Sequence, residues 1–146
     1  MQTFLPYKDF DKTAKCLDNK RLGKQRVEAY QILVTILENK KAWRNHPAVN
    51  MWRGYEPDLV LYGLAMCKEW IKRGYHDTLL SKFKNIKIRV YIVIPSSASP
   101  KWITNNFIRA HRSNLLRKDK KYYSKFKWNV PDNLPYIWPT KLHNSL

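Results

Sequence analysis

The sequence has few acidic residues and no long apolar run, and both shortages narrow what the protein can be. It contains 11 Asp and Glu against 28 Lys and Arg, which gives a formal net charge of +17 over 146 residues. No uninterrupted apolar run approaches the roughly 18 residues of a membrane span, and the N-terminus MQTFLPYKDF lacks a basic stretch followed by an apolar core. The sequence therefore predicts neither a spanning helix nor a signal peptide, and indicates a soluble intracellular protein.

The two cysteines and four histidines form no pattern typical of a disulfide or a metal site. Cys16 and Cys67 lie far apart without a Cys-x-x-Cys motif, so we expect buried, reduced thiols. The histidines show no zinc-ligand spacing, and no carboxylate cluster accompanies them. The sequence therefore predicts no metal.

The excess of positive charge is the strongest compositional signal. Such a field attracts polyanions and repels other copies of the chain, so we expect a nucleic-acid partner and a monomer. A basic membrane-surface protein or a ribosomal protein is equally cationic, so charge does not separate an enzyme from a passive binder. The length fits a single domain, residues 1–146, with a buried core.

Apolar residues at helical spacing predict a mainly α fold with three principal helices. The first has Asp18 as its N-cap and ends near Asn39, and the second spans residues 57–73 and stops at Gly74. The third has Pro100 at its first position. Long irregular connections join these helices within one compact domain.

The connections carry further local signals. Asn45 is the predicted N-cap of a short helix with Pro47 in its first turn, and Ser99 is the predicted cap of the third principal helix. The β-branched stretch RVYIVIP, residues 89–95, is typical of a strand, although no partner strand is evident and extended core-spanning chain fits equally. Beyond residue 119 we expect an irregular, aromatic, proline-containing surface tail.

Glu28 is a lone acid among basic residues of the first helix. It follows Arg21 and Lys24 on the same side, so its side chain is expected in a positive environment. One interpretation is an ordinary solvated ion pair, worth about a few tenths of a kcal/mol. The other is a carboxylate with a chemical role, because an acid on a polyanion-binding face opposes binding.

Three ordered segments of the chain resemble one enzyme family. They are LDNKRLGKQRVEA at residues 17–29, RNHPAV at 44–49, and HRSNLLRKDKKYY followed by Trp128. The first resembles a Leu-Asp…Glu motif, the second an Asn-His-Pro motif of bacterial members, and the third a basic, aromatic C-terminal region. These motifs are similar to those of the pyrimidine-dimer DNA glycosylase/AP lyase family, whose catalytic glutamate matches Glu28.

The resemblance implies an all-helical enzyme that acts on damaged duplex DNA, with pyrimidine dimers as the first substrate and no cofactor. Its nucleophile is the N-terminal α-amine, which attacks C1′, displaces the base and forms an imine that permits β-elimination of the 3′ phosphate. Gln2 disfavours removal of the initiator methionine, so the amine is that of Met1. Glu28 would stabilise the cationic sugar and relay the C2′ proton. We expect a bacterial or viral protein, cytoplasmic and nucleoid-associated.

An α-amine suits this chemistry because only a primary amine can form the imine. The ordinary pKa of α-amino groups, about 7.7–8.0, leaves on the order of a tenth neutral at pH 7, whereas a lysine near 10.4 needs a much larger shift. The resemblance therefore implies catalysis by a chain terminus rather than by a side-chain amine.

The resemblance and the composition also predict DNA contacts. In the segment 117–128, lysines alternate with aromatic residues, which suits phosphate neutralisation with stacking; the alternative is a solvated basic face whose rings anchor the tail. The predicted contacts are Gln2, Arg21, Lys24, Arg26, Gln31, Asn45, His46, His111, Arg112, Asn114, Arg117, Lys121 and Trp128.

Some positions depart from the family pattern and leave alternatives open. Val27 and Gln31 stand where phage members carry arginines, which puts the lesion in question more than the chemistry. Arg26 either binds phosphate or extends from the core, and His46 either contacts DNA or only begins a helix. Two competing functions are a non-catalytic DNA-binding protein and a glycosylase of the same fold for another damaged or modified base.

Overall fold

The computed structural model describes residues 1–93 and 100–139, and these residues form helices and connecting segments without β-strands. The predicted mainly α class is confirmed. No helix in the described ranges is long and apolar enough to cross a bilayer. The helices are α1 (Phe10–Cys16), α2 (Asn19–Leu37), α3 (Pro47–Asn50), α4 (Glu56–Lys72), α5 (Leu80–Val93), α6 (Asn105–Lys118) and α7 (Lys120–Tyr123), followed by a 3-10 turn (Ser124–Phe126).

Helix α4 forms the centre of the bundle, because α1, α2 and α5 all pack against it. Gly63 lets α5 approach closely, since a Cβ at this position would lie 2.3 Å from the ring of Phe83. The helix ends where the sequence predicts, because Gly74 adopts a φ of +95° that glycine tolerates without strain. These contacts fix the scaffold on which α2 is carried.

The prediction of buried, unbridged thiols is confirmed for both cysteines. Cys16 lies at the end of α1 and Cys67 lies on α4, and both are free. Burial raises the pKa of each thiol to about 12. Both are therefore protonated at neutral pH and serve as small apolar packing groups.

Helix α2 begins at the predicted position and buries two of its faces. Asp18 is the N-cap residue, but its carboxylate pairs with Arg21 at 3.2 Å and accepts a hydrogen bond from the Tyr123 hydroxyl. Leu22, Ala29 and Leu33 are buried along one side of the helix, and the polar Gln25 is buried as well. The second buried face lies under the N-terminal residues of the chain.

The predicted strand at residues 89–95 is wrong over its described part. The chain continues α5 to Val93, and Phe83, Ile86 and Val90 are buried at spacings of three and four residues. One helical face packed on α4 buries these side chains without a partner strand, so tertiary packing outweighs their β propensity. The described chain therefore has four long helices, and the last two residues of the stretch lie outside the described ranges.

The N-cap of α3 is His46 rather than the predicted Asn45. The imidazole Nδ1 accepts a hydrogen bond from the Ala48 N–H at 3.0 Å, and Pro47 occupies the first helical turn. An imidazole nitrogen can satisfy a free helix N–H as a carboxamide does, which is why residue type alone selected the wrong neighbour.

Helix α6 starts later than the sequence predicts. Its N-cap is Thr104, whose hydroxyl accepts a hydrogen bond from the Phe107 N–H at 3.2 Å, and its first residue is Asn105 rather than Pro100. Thr104 is closer in sequence than Ser99 to the apolar residues of the helix. It ends the preceding turn and therefore caps α6. The predicted cap Ser99 lies outside the described residues.

The tail after α6 is irregular only in its second half, because α7 and the 3-10 turn shape its first half. The Leu134 N–H donates to the Ser113 hydroxyl at 2.9 Å, and the Leu134 carbonyl accepts from Asn114 at 3.2 Å. Arg117 donates to the Asp132 carbonyl at 3.0 Å. These bonds hold the tail against α6, and the tail thereby lies near the N-terminus.

Candidate active site

Residues 1–7 precede α1 and form an arm that is hydrogen-bonded to α2 and α6. The Phe4 N–H donates to Gln25 Oε1 at 2.9 Å, and the Leu5 N–H donates to His111 Nδ1 at 3.0 Å. A chain end held at successive residues does not fray as free termini do. The amine of Met1 therefore has a defined location.

Glu28 lies beside this chain end. Its Oε2 accepts hydrogen bonds from the Gln2 N–H at 3.3 Å and from Gln25 Nε2 at 3.0 Å. Three bonds separate the Met1 amine nitrogen from the Gln2 nitrogen, so the amine lies within roughly 7 Å of that oxygen. The structure therefore brings the predicted nucleophile and the predicted acid together.

The alternative of an ordinary helix ion pair does not describe Glu28. None of the ion pairs among the described residues involves this carboxylate, and Arg21 pairs with Asp18 instead. Lys24 is exposed and also forms no ion pair in the described chain. Glu28 is therefore held by neutral N–H donors, which keep its charge available to a substrate.

Gln25 organises both the acid and the arm. Its Nε2 donates to the Gln2 carbonyl at 3.0 Å as well as to Glu28, and its Oε1 lies 2.6 Å from the Tyr62 hydroxyl. Gln25 is 1% exposed, and a buried amide with every polar group satisfied holds its partners rigidly. This role was not predicted from the sequence, although the position of Gln25 three residues before Glu28 was an available signal.

Met1 and Glu28 lie in a cleft of about 420 Å³ with strongly positive walls. Among its described lining residues Glu28 is the only acid, against four Lys and Arg. No group of three or more potential metal ligands occurs within the described ranges. The lining residues are Met1, Gln2, Phe4, Lys20, Arg21, Lys24, Gln25, Glu28, Lys118, Tyr136 and Trp138.

Several lining residues were not predicted from the sequence. Lys20 lies one helical turn before Lys24, so its side of α2 was readable from periodicity. Lys118, Tyr136 and Trp138 come from the end of α6 and from the tail, far along the chain. Tyr136 and Trp138 reach the cleft only through the folded tail, and Lys118 reaches it through the packing of α6, so no local pattern could reveal their position.

His46 lies near the Met1 amine and Glu28. Burial and the charge of the Met1 amine lower its pKa, whereas Glu28 raises it. Its ring contacts those of Trp43 and Trp138, with centroids 5.9 and 6.1 Å away. With Nδ1 used as the α3 cap and a pKa below its ordinary value, the imidazole is neutral at pH 7 and carries its proton on Nε2.

Three predicted DNA contacts are buried, which is a correction. Gln2 is 8% exposed, and His111 and Asn114 are each 1% exposed and present no surface to DNA. Burial lowers the pKa of His111 to about 3, so the neutral imidazole accepts the Leu5 N–H, and Asn114 binds the Leu134 carbonyl. These side chains hold the arm and the tail in place.

Arg26 is also used inside the protein. Its guanidinium forms an ion pair with Asp77 and lies 4.7 Å from the ring centroid of Trp70. Of the two interpretations left open by the sequence, extension from the core describes this side chain. Its charge is neutralised by a carboxylate whose side chain is fully buried, so we leave Arg26 out of the proposed DNA contacts.

Arg112 and Trp128 make internal contacts as well. Arg112 Nε donates to the Pro6 carbonyl at 2.8 Å, and the guanidinium lies 4.9 Å from the ring centroid of Tyr7 and 5.5 Å from that of Trp128. Trp128 Nε1 donates to the Tyr7 hydroxyl at 3.0 Å. These bonds fasten the C-terminal segment, residues 105–139, to the arm, whereas Arg117 binds the tail through the Asp132 carbonyl.

The rings of the segment 117–128 pack against one another, in what we call the aromatic cluster. Phe126 and Tyr123 both stack on Trp128, with centroids 5.1 and 5.9 Å away, and Tyr122 completes the group at 4.8 Å from Tyr123. This packing supports the interpretation in which the rings anchor the tail.

Five of the remaining predicted contacts are accessible. Arg21 and Lys24 line the cleft, and Gln31, Asn45 and Lys121 are exposed outside its lining. Gln2 also lines the cleft but is largely buried.

An all-helical protein with an acid and a chain-terminal amine in a cationic cleft has the features expected of a DNA-processing enzyme. The pyrimidine dimer DNA glycosylase family matches residues 1–82, more than half of the chain. The chain belongs to this family and is therefore a DNA repair glycosylase that acts on damaged DNA. The arm, Glu28 and His46 lie in the matched part. No curated protein and no solved structure gives a significant match.

Proposed function

We propose that the protein is a glycosylase with AP lyase activity that excises damaged pyrimidines, pyrimidine dimers first, through an imine with the Met1 amine. The observation that carries this proposal is the hydrogen bond between the Gln2 N–H and Glu28, because it holds the terminal amine beside the acid inside the cleft. An amine and a carboxylate at this separation can both reach one deoxyribose.

The reaction begins when the lone pair of the neutral amine attacks C1′ and the base leaves with the electrons of the glycosidic bond. Loss of a proton from nitrogen and opening of the sugar ring give an imine between Met1 and C1′. Removal of the C2′ proton then expels the 3′ phosphate with the electrons of the C3′–O bond. No redox step and no cofactor are required.

Glu28 supplies the negative charge and the proton transfers. In the attack step the carboxylate stabilises the cationic sugar, and in the elimination step it takes the C2′ proton. Both of its hydrogen bonds reach Oε2, so Oε1 has no partner among the described residues and is available to the substrate. Gln25 keeps the carboxylate in position throughout.

The cationic walls bind the DNA backbone. Lys20, Arg21, Lys24 and Lys118 surround the reacting sugar and neutralise its flanking phosphates, including the phosphate that leaves in the elimination. A lesion weakens base stacking, so distortion of the duplex costs less there than at intact sequence. This difference contributes to the choice of damaged sites.

Replacement of Glu28 by Gln tests the assignment of the acid. Glu28→Gln keeps the size of the side chain and an oxygen acceptor, and we expect strand cleavage to fall by about a hundredfold or more. Binding to a lesion duplex should persist with its salt dependence. The matched control is Glu38→Gln, because Glu38 is exposed at the end of the same helix and pairs with Lys40. Near-parental turnover in Glu28→Gln rules out the assignment.

A second experiment tests the amine and separates the enzyme from a passive DNA binder. A short N-terminal extension moves the α-amine away from Glu28 while adding no charge. The enzyme should lose cleavage of both dimer and abasic duplexes. A passive binder cleaves neither duplex, and its affinity for DNA should be unchanged by the extension. Removal of the extension by a protease that regenerates Met1 should restore cleavage.

A further inference from the structure

Trp43 is the most exposed large apolar side chain in the described ranges, with 61% of its surface accessible. Its φ of +63° lies in the left-handed region, which bulky residues rarely adopt. An exposed indole and a strained backbone are both unfavourable for the isolated protein. Such a combination points to a contact made with another molecule.

The loop that carries Trp43 is ordered by hydrogen bonds. The His46 N–H donates to the Trp43 carbonyl at 2.9 Å, and Arg53 Nη2 donates to the Arg44 carbonyl at 2.8 Å. Arg44 Nη2 in turn donates to Asn39 Oδ1 at 3.0 Å. The indole is therefore presented on a fixed support, so little ordering is required on binding.

Positive charge surrounds the exposed ring. Lys41 and Arg44 flank Trp43 in the sequence KKAWRN and are both exposed. Exposed cations on either side of an aromatic ring match the phosphates and the bases of nucleic acid. Duplex DNA is thus the partner that the loop fits.

A row of rings connects this loop to the active-site cleft. The ring centroids of Trp43 and His46 are 5.9 Å apart, those of His46 and Trp138 are 6.1 Å apart, and those of Trp138 and Tyr136 are 5.8 Å apart. Trp138 and Tyr136 both line the cleft. Trp43 therefore stands at the outer end of a continuous aromatic path to the reacting sugar.

We infer that Trp43 inserts into the base stack of duplex DNA beside the lesion while the damaged nucleotide occupies the cleft. The inference rests on the proposed function of the cleft. The indole fills the space left by the displaced nucleotide and offsets part of the lost stacking. Lys41 and Arg44 bind the phosphates on either side.

The first test compares a duplex with a substrate that has no base stack. Trp43→Asn removes the ring and keeps a residue that tolerates the left-handed conformation. On a thymine-dimer duplex its single-turnover rate constant should fall about tenfold or more, and this loss should clearly exceed its loss on an abasic single strand. Trp43→Phe should recover part of the rate. Leu61→Ala, an exposed apolar change on α4, is the control and should match the parental protein.

The second test detects unstacking directly and requires no turnover. A duplex with 2-aminopurine next to the dimer is bound by saturating Glu28→Gln protein, and the fluorescence should rise as the base stack opens. Adding Trp43→Asn to this background should abolish most of the rise while anisotropy still shows binding. Trp43→Gly serves in its place if the asparagine variant melts at a lower temperature.

An undiminished fluorescence rise, or equal losses on the duplex and the single strand, contradicts insertion by Trp43. Failure of the proposed function is a different result, in which the parental protein forms no imine on dimer or abasic DNA. Because the fluorescence measurement is independent of catalysis, it decides the role of Trp43 in that case as well.

Discussion

The loop 39–46 and the C-terminal segment, residues 105–139, combine basic and aromatic residues but use them in opposite ways. In the C-terminal segment the rings of Tyr123 and Trp128 pack together and fasten the arm and the tail. In the loop, Trp43 is exposed between cations. Composition identifies both regions as suited to DNA, whereas the packing around each ring determines whether it is free to meet DNA.

The largest expected effect is on the free energy of unfolding, which His111 makes dependent on pH. The folded state holds its pKa at about 3, well below the ordinary value of 6.5, because the neutral imidazole is buried. The unfolded chain therefore binds a proton first as the pH falls, and folding loses about 1.4 kcal/mol per pH unit below about 6.5 from this group. We expect its contribution to reach about 3 kcal/mol between pH 7 and pH 4.

Urea unfolding at pH 7 and pH 4 measures this loss, with His111→Gln as the comparison. The glutamine oxygen can still accept the Leu5 N–H but does not titrate. The free energy of unfolding of the variant should fall less than that of the parental protein over the same interval. Parallel losses in the two proteins would assign the acid sensitivity to carboxylates elsewhere.

The next effect is the loss of an anchoring ring. Trp128→Ala should lower the free energy of unfolding by about 2–3 kcal/mol, because the half-buried indole packs on the aromatic cluster and on Arg112. Trp43→Asn should not lower it, because the ring is exposed and asparagine tolerates the left-handed backbone at this position. Chemical unfolding followed by circular dichroism compares them, and equal effects would remove the distinction between the two regions.

A smaller effect is expected at the junction between the C-terminal segment and α2. The Tyr123 hydroxyl donates to the Asp18 carboxylate and accepts from the Asp18 N–H at 3.1 Å. Tyr123→Phe removes both bonds and should destabilise the protein by about 1–2 kcal/mol. The same unfolding assay measures this, and an unchanged midpoint would show that the two groups are satisfied by water.

The smallest effect separates the lysines of the two regions. Lys41→Ala should weaken DNA binding and reduce the slope of log K against log salt by about one. Lys125→Ala should reduce the slope by less, because its ammonium group lies 4.0 Å from the ring centroid of Tyr122 and is held against the aromatic cluster. Anisotropy titrations over a range of salt concentrations measure both slopes, and identical slopes for the two variants would contradict the comparison.

Local signals predicted those parts of the fold that depend on neighbours in sequence. The start of α2 at Asp18 and the end of α4 at Gly74 follow from caps and periodicity. The helix at residues 89–93 did not, because its β-branched residues suit a strand until α4 is present to bury them. Pairwise packing over long sequence separations therefore decided what propensity left ambiguous.

The same division holds for the candidate site. Glu28 was identified from the resemblance of its segment, and the structure places it beside Met1. Tyr136 and Trp138 were missed, because the hydrogen bonds of the tail to α6 bring them there. His111 was wrongly predicted to contact DNA, because the sequence of a basic, aromatic segment does not show whether its histidine is buried or exposed.

The most direct test of the account is borohydride trapping on duplex DNA with a single thymine dimer, followed by mass mapping of the crosslinked peptide. The account predicts a crosslink at the α-amine of Met1 on the dimer duplex and on an abasic duplex, and none on undamaged DNA. A crosslink mapped to a cleft lysine such as Lys118 or Lys24, or tight binding without any crosslink, would contradict catalysis by the terminal amine.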